Sequence, residues 1–235
     1  MKYKRLIGFL IVWISLGGAV FAQATIVISD PQAKPAKPLM NLAESTLMER
    51  VVLPAVRKHW SANESCEEDY RVMGEETGAF SRPVMNQKLI FFQFCQTGNG
   101  LGHNGLVLIE NGKVVGLYVS ESGWAMDLKK LSDINRNGFD EFLLYYSGGM
   151  HQGQGGIGVD LMEFSASGAI KGLGWFQSEG FTEDDSWSYK ISVKTGKTPV
   201  FYREKYISKN DRLQKSGKIA AFKLGRTYGS YALLK

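Results

Sequence analysis

From residue 86 to the end of the chain, apolar residues come in short runs separated by glycine and small polar residues. "KLIFFQF", "GLVLIE", "KVVGLYV", "FLLYYS", "VDLMEF", "SYKISV", "PVFYREKY" and "KIAAFKL" are rich in β-branched and aromatic residues, the composition of strands. Asn111-Gly112 is a strong hairpin signal, and Ser167-Gly168, Thr195-Gly196 and Ser216-Gly217 are weaker ones. The pattern predicts an antiparallel β domain over 86–235. Upstream the period changes. In "NLAESTLMERVVLPAVRKHW", Leu42, Leu47, Val51 and Val52 fall near one helical face, and Arg57 and Lys58 suit the dipole of the last turn. Pro54 should kink or split that helix. The polar stretch 61–83 reads as irregular, so 41–85 is expected to be a helical and irregular lobe. Residues 23–40 hold Pro31, Pro35 and Pro38, half of the 6 prolines, and read as a linker.

The β region contains an internal echo. A shift of 53 residues lays Leu89-Ile90-Phe91-Phe92 over Phe142-Leu143-Leu144-Tyr145. Gly100, Gly102 and Gly105 then fall on Gly153, Gly155 and Gly158, and Leu108-Ile109-Glu110 on Leu161-Met162-Glu163. The predicted units are 86–125 and 139–182, each strand, glycine-rich loop, strand, turn, strand, with a C-terminal hairpin region over 186–235. If the register holds, both glycine loops emerge at one end of the β domain.

The first 22 residues carry a basic start, an apolar run and small residues before Gln23, the grammar of a cleaved secretory leader. The expected location is periplasmic or secreted, with no membrane span after cleavage. Loss of Lys2, Lys4 and Arg5 takes three charges from the formal +5, so the basic balance gives no argument for nucleic acid. Two cysteines, Cys66 and Cys95, in an exported chain predict one disulfide; buried free thiols are the alternative.

The stretch "SDINRNGFDEFLL" concentrates oxygen ligands. Asp133, Asn135 and Asn137 alternate ahead of Gly138, which permits a sharp bend; the Phe139 carbonyl and Glu141 follow. Such a set suits Ca²⁺, a hard cation wanting six to eight oxygens. The alternative is an Asn-Gly turn whose side chains cap their own backbone. "DINRNGFDEFLLYYSGG" resembles the calcium loop and first strand of an FG-GAP or VCBS-type repeat, the blade unit of integrin-α-like β-propellers. The resemblance implies ligand roles for Asp133, Asn135, Asn137, the Phe139 carbonyl and Glu141, and a structural Ca²⁺. It covers 133–168 well and 86–125 weakly, and the first unit has "FSRPVMNQK" in place of the loop. A closed propeller needs more chain. The expected fold is therefore mainly β (α+β): an N-terminal helix, then an antiparallel sheet of two propeller-blade-like repeats.

Other features carry less chemistry. "GLGHNG" and "GQGGIG" spell a dinucleotide fingerprint, but each is followed by strand rather than helix. His103 and His151 sit in those loops. "SEGFTEDDSW" gathers Glu179, Glu183, Asp184 and Asp185, which with the histidines would be the material of a secreted hydrolase. Trp124, Trp175, Trp187, Tyr145 and Tyr146 would suit a face for carbohydrate or peptide. No convergent acid, base and nucleophile is legible, so no catalytic residue is assigned. The expected function is a non-enzymatic binding or envelope-associated protein whose partner is a protein or glycan in the envelope or outside the cell. A secreted hydrolase and a periplasmic inhibitor are the alternatives.

Overall fold

The computed structural model describes residues 24–33, 37–38, 40–60, 66, 70–209 and 212–234; the predicted leader and its cleavage site lie outside them. The elements, in chain order, begin with strand β1 (Thr25–Ser29), helix α1 (Leu42–Leu47), a π-helical turn (Met48–Val52) and helix α2 (Leu53–His59). Then come β2 (Arg71–Gly78), β3 (Gln87–Gly98), β4 (Leu101–Glu110), β5 (Lys113–Ser122), β6 (Trp124–Leu131), β7 (Glu141–His151), β8 (Gln154–Phe164) and β9 (Ile170–Phe181). The chain closes with β10 (Ser186–Lys194), β11 (Val200–Lys209), β12 (Arg212–Lys215), β13 (Ala220–Phe222) and β14 (Ala232–Leu233). No helix among the described residues is long and apolar enough to cross a membrane.

All pairing is antiparallel. The small sheet runs β14-β5-β4-β3-β2. The large sheet runs β12-β11-β10-β9-β8-β7-β6, with β1 added on β10 and β13 on β11. It curls into an open half-barrel and does not close. The sheets share one continuous piece of chain, because β5 ends at Ser122 and β6 starts at Trp124. Gly123 makes the corner, where a Cβ would lie 2.9 Å from the Tyr146 Cβ. Buried Asn104 holds the corner, its Nδ2 donating to Gly123 O and Ser122 Oγ, each at 2.8 Å.

Alternation along the strands sorts side chains into three cores. Leu89 and Phe91 of β3 face Phe142, Leu144 and Tyr146 of β7 between the sheets. Ile90, Phe92 and Phe94 point the other way and are covered by Met48, Val52, Leu53 and Val56 of the helical segment. Leu143 of β7 turns instead toward Leu161, Phe176, Ile191 and Phe201 inside the curl of the large sheet. Strands that read as unbroken apolar runs are therefore those buried on both faces.

Four expectations need correction. Residues 25–29 of the predicted linker form β1, whose backbone pairs with β10. Arg71–Gly78, expected to be irregular, is the edge strand β2, paired with β3 and packed closely on β6: a Cβ on Gly74 would meet Leu128 N at 2.6 Å. The predicted apolar face of the helix is displaced in part: Val52 is buried and Leu47 packs on the core as expected, but the other two residues do not. Leu42 is 85% exposed and Val51 49%, whereas Met48 and Val56 are fully buried. The π turn just before Pro54 rephases the helix: Leu53 donates to Met48 O, five residues back, and the wider turn eases the steric demand of the proline ring. The 53-residue register, finally, holds for the first strands and slips in the second. Leu108 faces the inter-sheet core, while its aligned counterpart Leu161 faces the half-barrel interior. An odd offset between strands reverses every side chain.

Candidate functional site

The loop between β6 and β7 closes a hairpin whose last pair is Leu131 with Glu141. Ile134 is fully buried in the half-barrel core and anchors the loop, and Gly196 N donates to its carbonyl at 2.9 Å. Gly138 has φ +94°, so the bend there needs glycine. The oxygens converge on loop backbone. Asp133 Oδ1 accepts from Asn137 N at 2.8 Å and Oδ2 from Gly138 N at 3.0 Å. Asn135 Oδ1 also accepts from Asn137 N, at 3.0 Å, while Asn137 Oδ1 accepts from Phe139 N at 2.9 Å.

Glu141 lies beneath the loop, fully buried. Its Oε2 accepts from Ile134 N at 2.8 Å and Oε1 from Asn135 N at 3.3 Å. Burial pushes its pKa up to about 7, against the lowering effect of those N–H groups. No lysine, arginine or histidine among the described residues pairs with it. Two carboxylates outside the predicted set complete the region. Glu163 Oε2 accepts from the amides of both Asn135 and Asn137 at 2.8 Å, and its Oε1 pairs with Lys171 at 3.2 Å. Asp140 accepts from Ala79 N at 2.9 Å, tying the loop to the segment after β2. The loop thus brings Asp133, Asn135 and Glu141 oxygens around the first turn, each already holding a backbone N–H. A groove of about 520 Å³ beside it is lined by Arg136, Glu163, Lys171, Lys197 and Phe201 among others.

Past their turn glycines, Gly100 and Gly153, both glycine loops are strand, and Gly105, Gly155 and Gly158 seat aromatic rings. A Cβ on Gly158 would lie 2.5 Å from Trp175 Nε1, and one on Gly155 or Gly105 would run into the rings of Phe181 or Phe92. Glycines of the dinucleotide-like spelling therefore serve turns, close backbone approach and three ring seats along β4 and β8. The two hairpin tips touch: Asn99 Nδ2 donates to Met150 O at 3.0 Å, so both loops stand at the same end of the fold.

Behind the β8 loop lies a pocket of about 190 Å³. Gly123, Gly148, Gly156 and Gly158 supply glycine surface, and Tyr146, Trp175, Gln177 and Tyr228 supply side chains. Tyr228 is 55% exposed. It sits on a C-terminal strap clamped by Asp160, which accepts from Tyr228 N at 2.8 Å and Gly229 N at 2.7 Å. Ile157 is also a wall of a second cleft, of about 330 Å³, lined by Glu76, Asp127, Tyr145, Glu179 and Tyr189 among others. Burial raises the pKa of Asp127 there, and the nearby Glu76 charge adds to it.

The remaining candidates are dispersed. Glu179 turns into that second cleft, and Glu183 lies over Gly153. His151 Nε2 donates to Gly148 O at 3.1 Å. His103 is buried on the small sheet, stacked on Trp60 with ring centroids 4.3 Å apart, and burial lowers its pKa. Trp124 Nε1 donates to Gly98 O, and Trp187 packs on Gly180. Cys66 and Cys95 form the expected disulfide, Cα atoms 5.2 Å apart. Comparison with protein-family models, with curated proteins and with solved structures returns no match to this chain.

Proposed function

We propose that the protein is a non-enzymatic binding protein acting outside the cytoplasm, with the pocket at Trp175 as its ligand seat. The observation carrying this reading is the placement of the half-buried Trp175 indole and the exposed Tyr228 ring in one pocket beside a glycine surface, with Gln177 as a polar handle. Flat apolar faces over polar edges are what a sugar ring requires. The pocket has room for one ring. Calorimetry with tetramers of glucosamine, N-acetylglucosamine and glucose tests this. At least one should bind with saturable heat, and Trp175→Ala should weaken it at least tenfold. Absence of saturable heat with all three, or equal affinity in the variant, overturns the reading. Cleavage of any probe would transfer the function to the hydrolase alternative.

A second element of the proposal is a structural Ca²⁺ in the 133–141 loop, as the FG-GAP resemblance implies. It is supported by Glu141, a fully buried carboxylate with backbone N–H partners and, among the described residues, no cationic side chain paired with it. Asp133, Asn135, Asn137, the Phe139 carbonyl and Glu141 would hold the ion. It would supply charge balance for Glu141 and fix the entry to β7. Oxygen ligation around Gly138 is the chemistry Ca²⁺ prefers.

A further inference from the structure

The outer face of the small sheet holds a cluster that neither the binding pocket nor the calcium loop uses. Cys95 of β3 and His103 of β4 are cross-strand partners there, and the bulge between Gln93 and Cys95 puts both under the end of α2. Cys66 reaches the same point from outside the sheet. His103 Nδ1 lies 3.6 Å from Cys95 Sγ and 3.7 Å from Cys66 Sγ. The three donor atoms all fall within 4.8 Å of one another, the one such group of histidine, cysteine and acidic residues among the described residues. We propose that Cys66, Cys95 and His103 form a redox-gated site for a thiophilic d¹⁰ cation of the Zn²⁺ class, closed to metal when the disulfide is made and open when it is reduced.

Geometry supports the assignment. Tetrahedral zinc with bonds of about 2.3 Å to sulfur and about 2.0–2.1 Å to nitrogen needs sulfur and nitrogen roughly 3.6 Å apart. Both sulfur–nitrogen separations already have that value. Only the two sulfurs must part, to roughly 3.8 Å, once the bond between them is gone. The ring is fixed by stacking and has a carboxylate near its far nitrogen. Its other nitrogen, Nε2, lies 3.7 Å from Glu121 Oε1, just beyond hydrogen-bond distance, where a small side-chain shift would give the carboxylate-behind-histidine arrangement that orients a ligating imidazole. Trp60 lies flat on the ring, 9° from parallel, and Phe94 stacks on Trp60 in turn. A disulfide needs neither a histidine nitrogen equidistant from both sulfurs nor a carboxylate behind that histidine. Three protein donors leave the fourth position to water or another ligand.

The chemistry balances. An external dithiol gives two electrons and two protons to the Cys66–Cys95 bond and is itself oxidised to a disulfide. The two thiols then release their protons as the cation binds.

Co²⁺ is the probe, because tetrahedral thiolate ligation is visible by absorption. The protein is reduced with a phosphine, desalted without air, and titrated with Co²⁺ while circular dichroism monitors the fold. Reduced wild type should develop thiolate-to-cobalt charge-transfer bands at one equivalent, displaced by Zn²⁺, and the oxidised protein should develop none. Reduced His103→Gln should bind at least tenfold more weakly, with altered visible bands, and reduced Glu121→Gln should bind about tenfold more weakly. No bands in the reduced protein, or bands indifferent to His103→Gln, overturn the proposal. Loss of the fold on reduction that Co²⁺ or Zn²⁺ does not reverse overturns it too.

Discussion

The carboxylate of Asp160 accepts the backbone N–H of Gly229 at 2.7 Å, joining the middle of β8 to a strap near the end of the chain. Asp160 is fully buried, and the phenols of Tyr146 and Tyr231 stand near it, hydrogen-bonded to each other at 2.7 Å. Burial raises the Asp160 pKa to about 6 against the lowering effect of the Gly229 and Tyr228 N–H groups. A carboxyl that holds its proton more tightly in the folded chain favours folding at low pH. That contribution is complete below the ordinary value of 3.8 and is lost as pH rises through about 6. Wild type should therefore gain about 1.4 kcal/mol relative to Asp160→Asn between pH 7.5 and pH 5. Urea unfolding of both proteins at both pH values reads this directly. Equal pH dependence in the two chains would assign the titration elsewhere.

Two glycines separate steric from conformational need. Gly112 has φ +72° with nothing within 4 Å of a would-be Cβ, so Gly112→Ala should cost about 1 kcal/mol through the backbone alone. Gly105 is an ordinary strand residue whose Cβ would collide with the Phe92 ring inside a sealed core. Gly105→Ala should cost about 1–3 kcal/mol by overpacking. The pair Gly105→Ala with Phe92→Leu should recover part of that loss, whereas the same Phe92 change should not help Gly112→Ala. Denaturant midpoints for the four variants decide the matter.

The strands most plainly legible in the chain were those buried on both faces, while β11 and β13 were legible from β-branched and aromatic composition alone. "KLIFFQF" and "FLLYYS" announce themselves because consecutive residues face different cores. "RVMGEETG" and "TIVIS" were hidden because they are edge strands with few buried residues, and β1 stands next to three prolines that dominate the local reading. "WAMDLKKL" was hidden for a related reason: its Lys129 and Lys130 sit among buried Ala125, Leu128 and Leu131. The candidate loop was legible in its local part, since Asp133, Asn135 and Gly138 act within one turn. Glu163 was not, because it reaches the loop through the β7–β8 pairing from 28 residues away. The ring seats on Gly105 and Gly158 depend likewise on the register between neighbouring strands, which glycine spacing does not encode.

The disulfide joins residues 29 apart and fastens a segment outside the sheet to β3. Cross-links of that span contribute about 3 kcal/mol by restricting the unfolded chain. Cys66→Ala with Cys95→Ala should lower the stability of the oxidised protein by about that amount in equilibrium unfolding. Wild type with and without reductant should differ similarly in metal-free buffer. A double variant as stable as wild type would show that the bond adds nothing beyond the packing of Trp60, Phe94 and His103.

The calcium proposal makes a sharper demand on Asp133 than on the stability of the loop. Asp133 caps Asn137 N and Gly138 N whether or not an ion is present, so Asp133→Ala should destabilise the protein in either case. The discriminating quantity is the response to Ca²⁺. A loop with few carboxylates should bind toward the weak extracellular range, with Kd on the order of 10⁻⁴ M. At ten times Kd, a ligand restricted to the folded state contributes about 1.4 kcal/mol, a melting shift of roughly 3–5 °C for a β protein of this size. Millimolar Ca²⁺ should produce that shift in wild type, a chelator should reverse it, and Mg²⁺ should do less because it demands a tighter octahedron. Asp133→Ala should melt lower and respond to neither ion. Identical melting of wild type with Ca²⁺ and with chelator would leave the loop as a capped turn. Its side-chain oxygens would then be fully employed on the N–H groups of Ile134, Asn135, Asn137, Gly138 and Phe139.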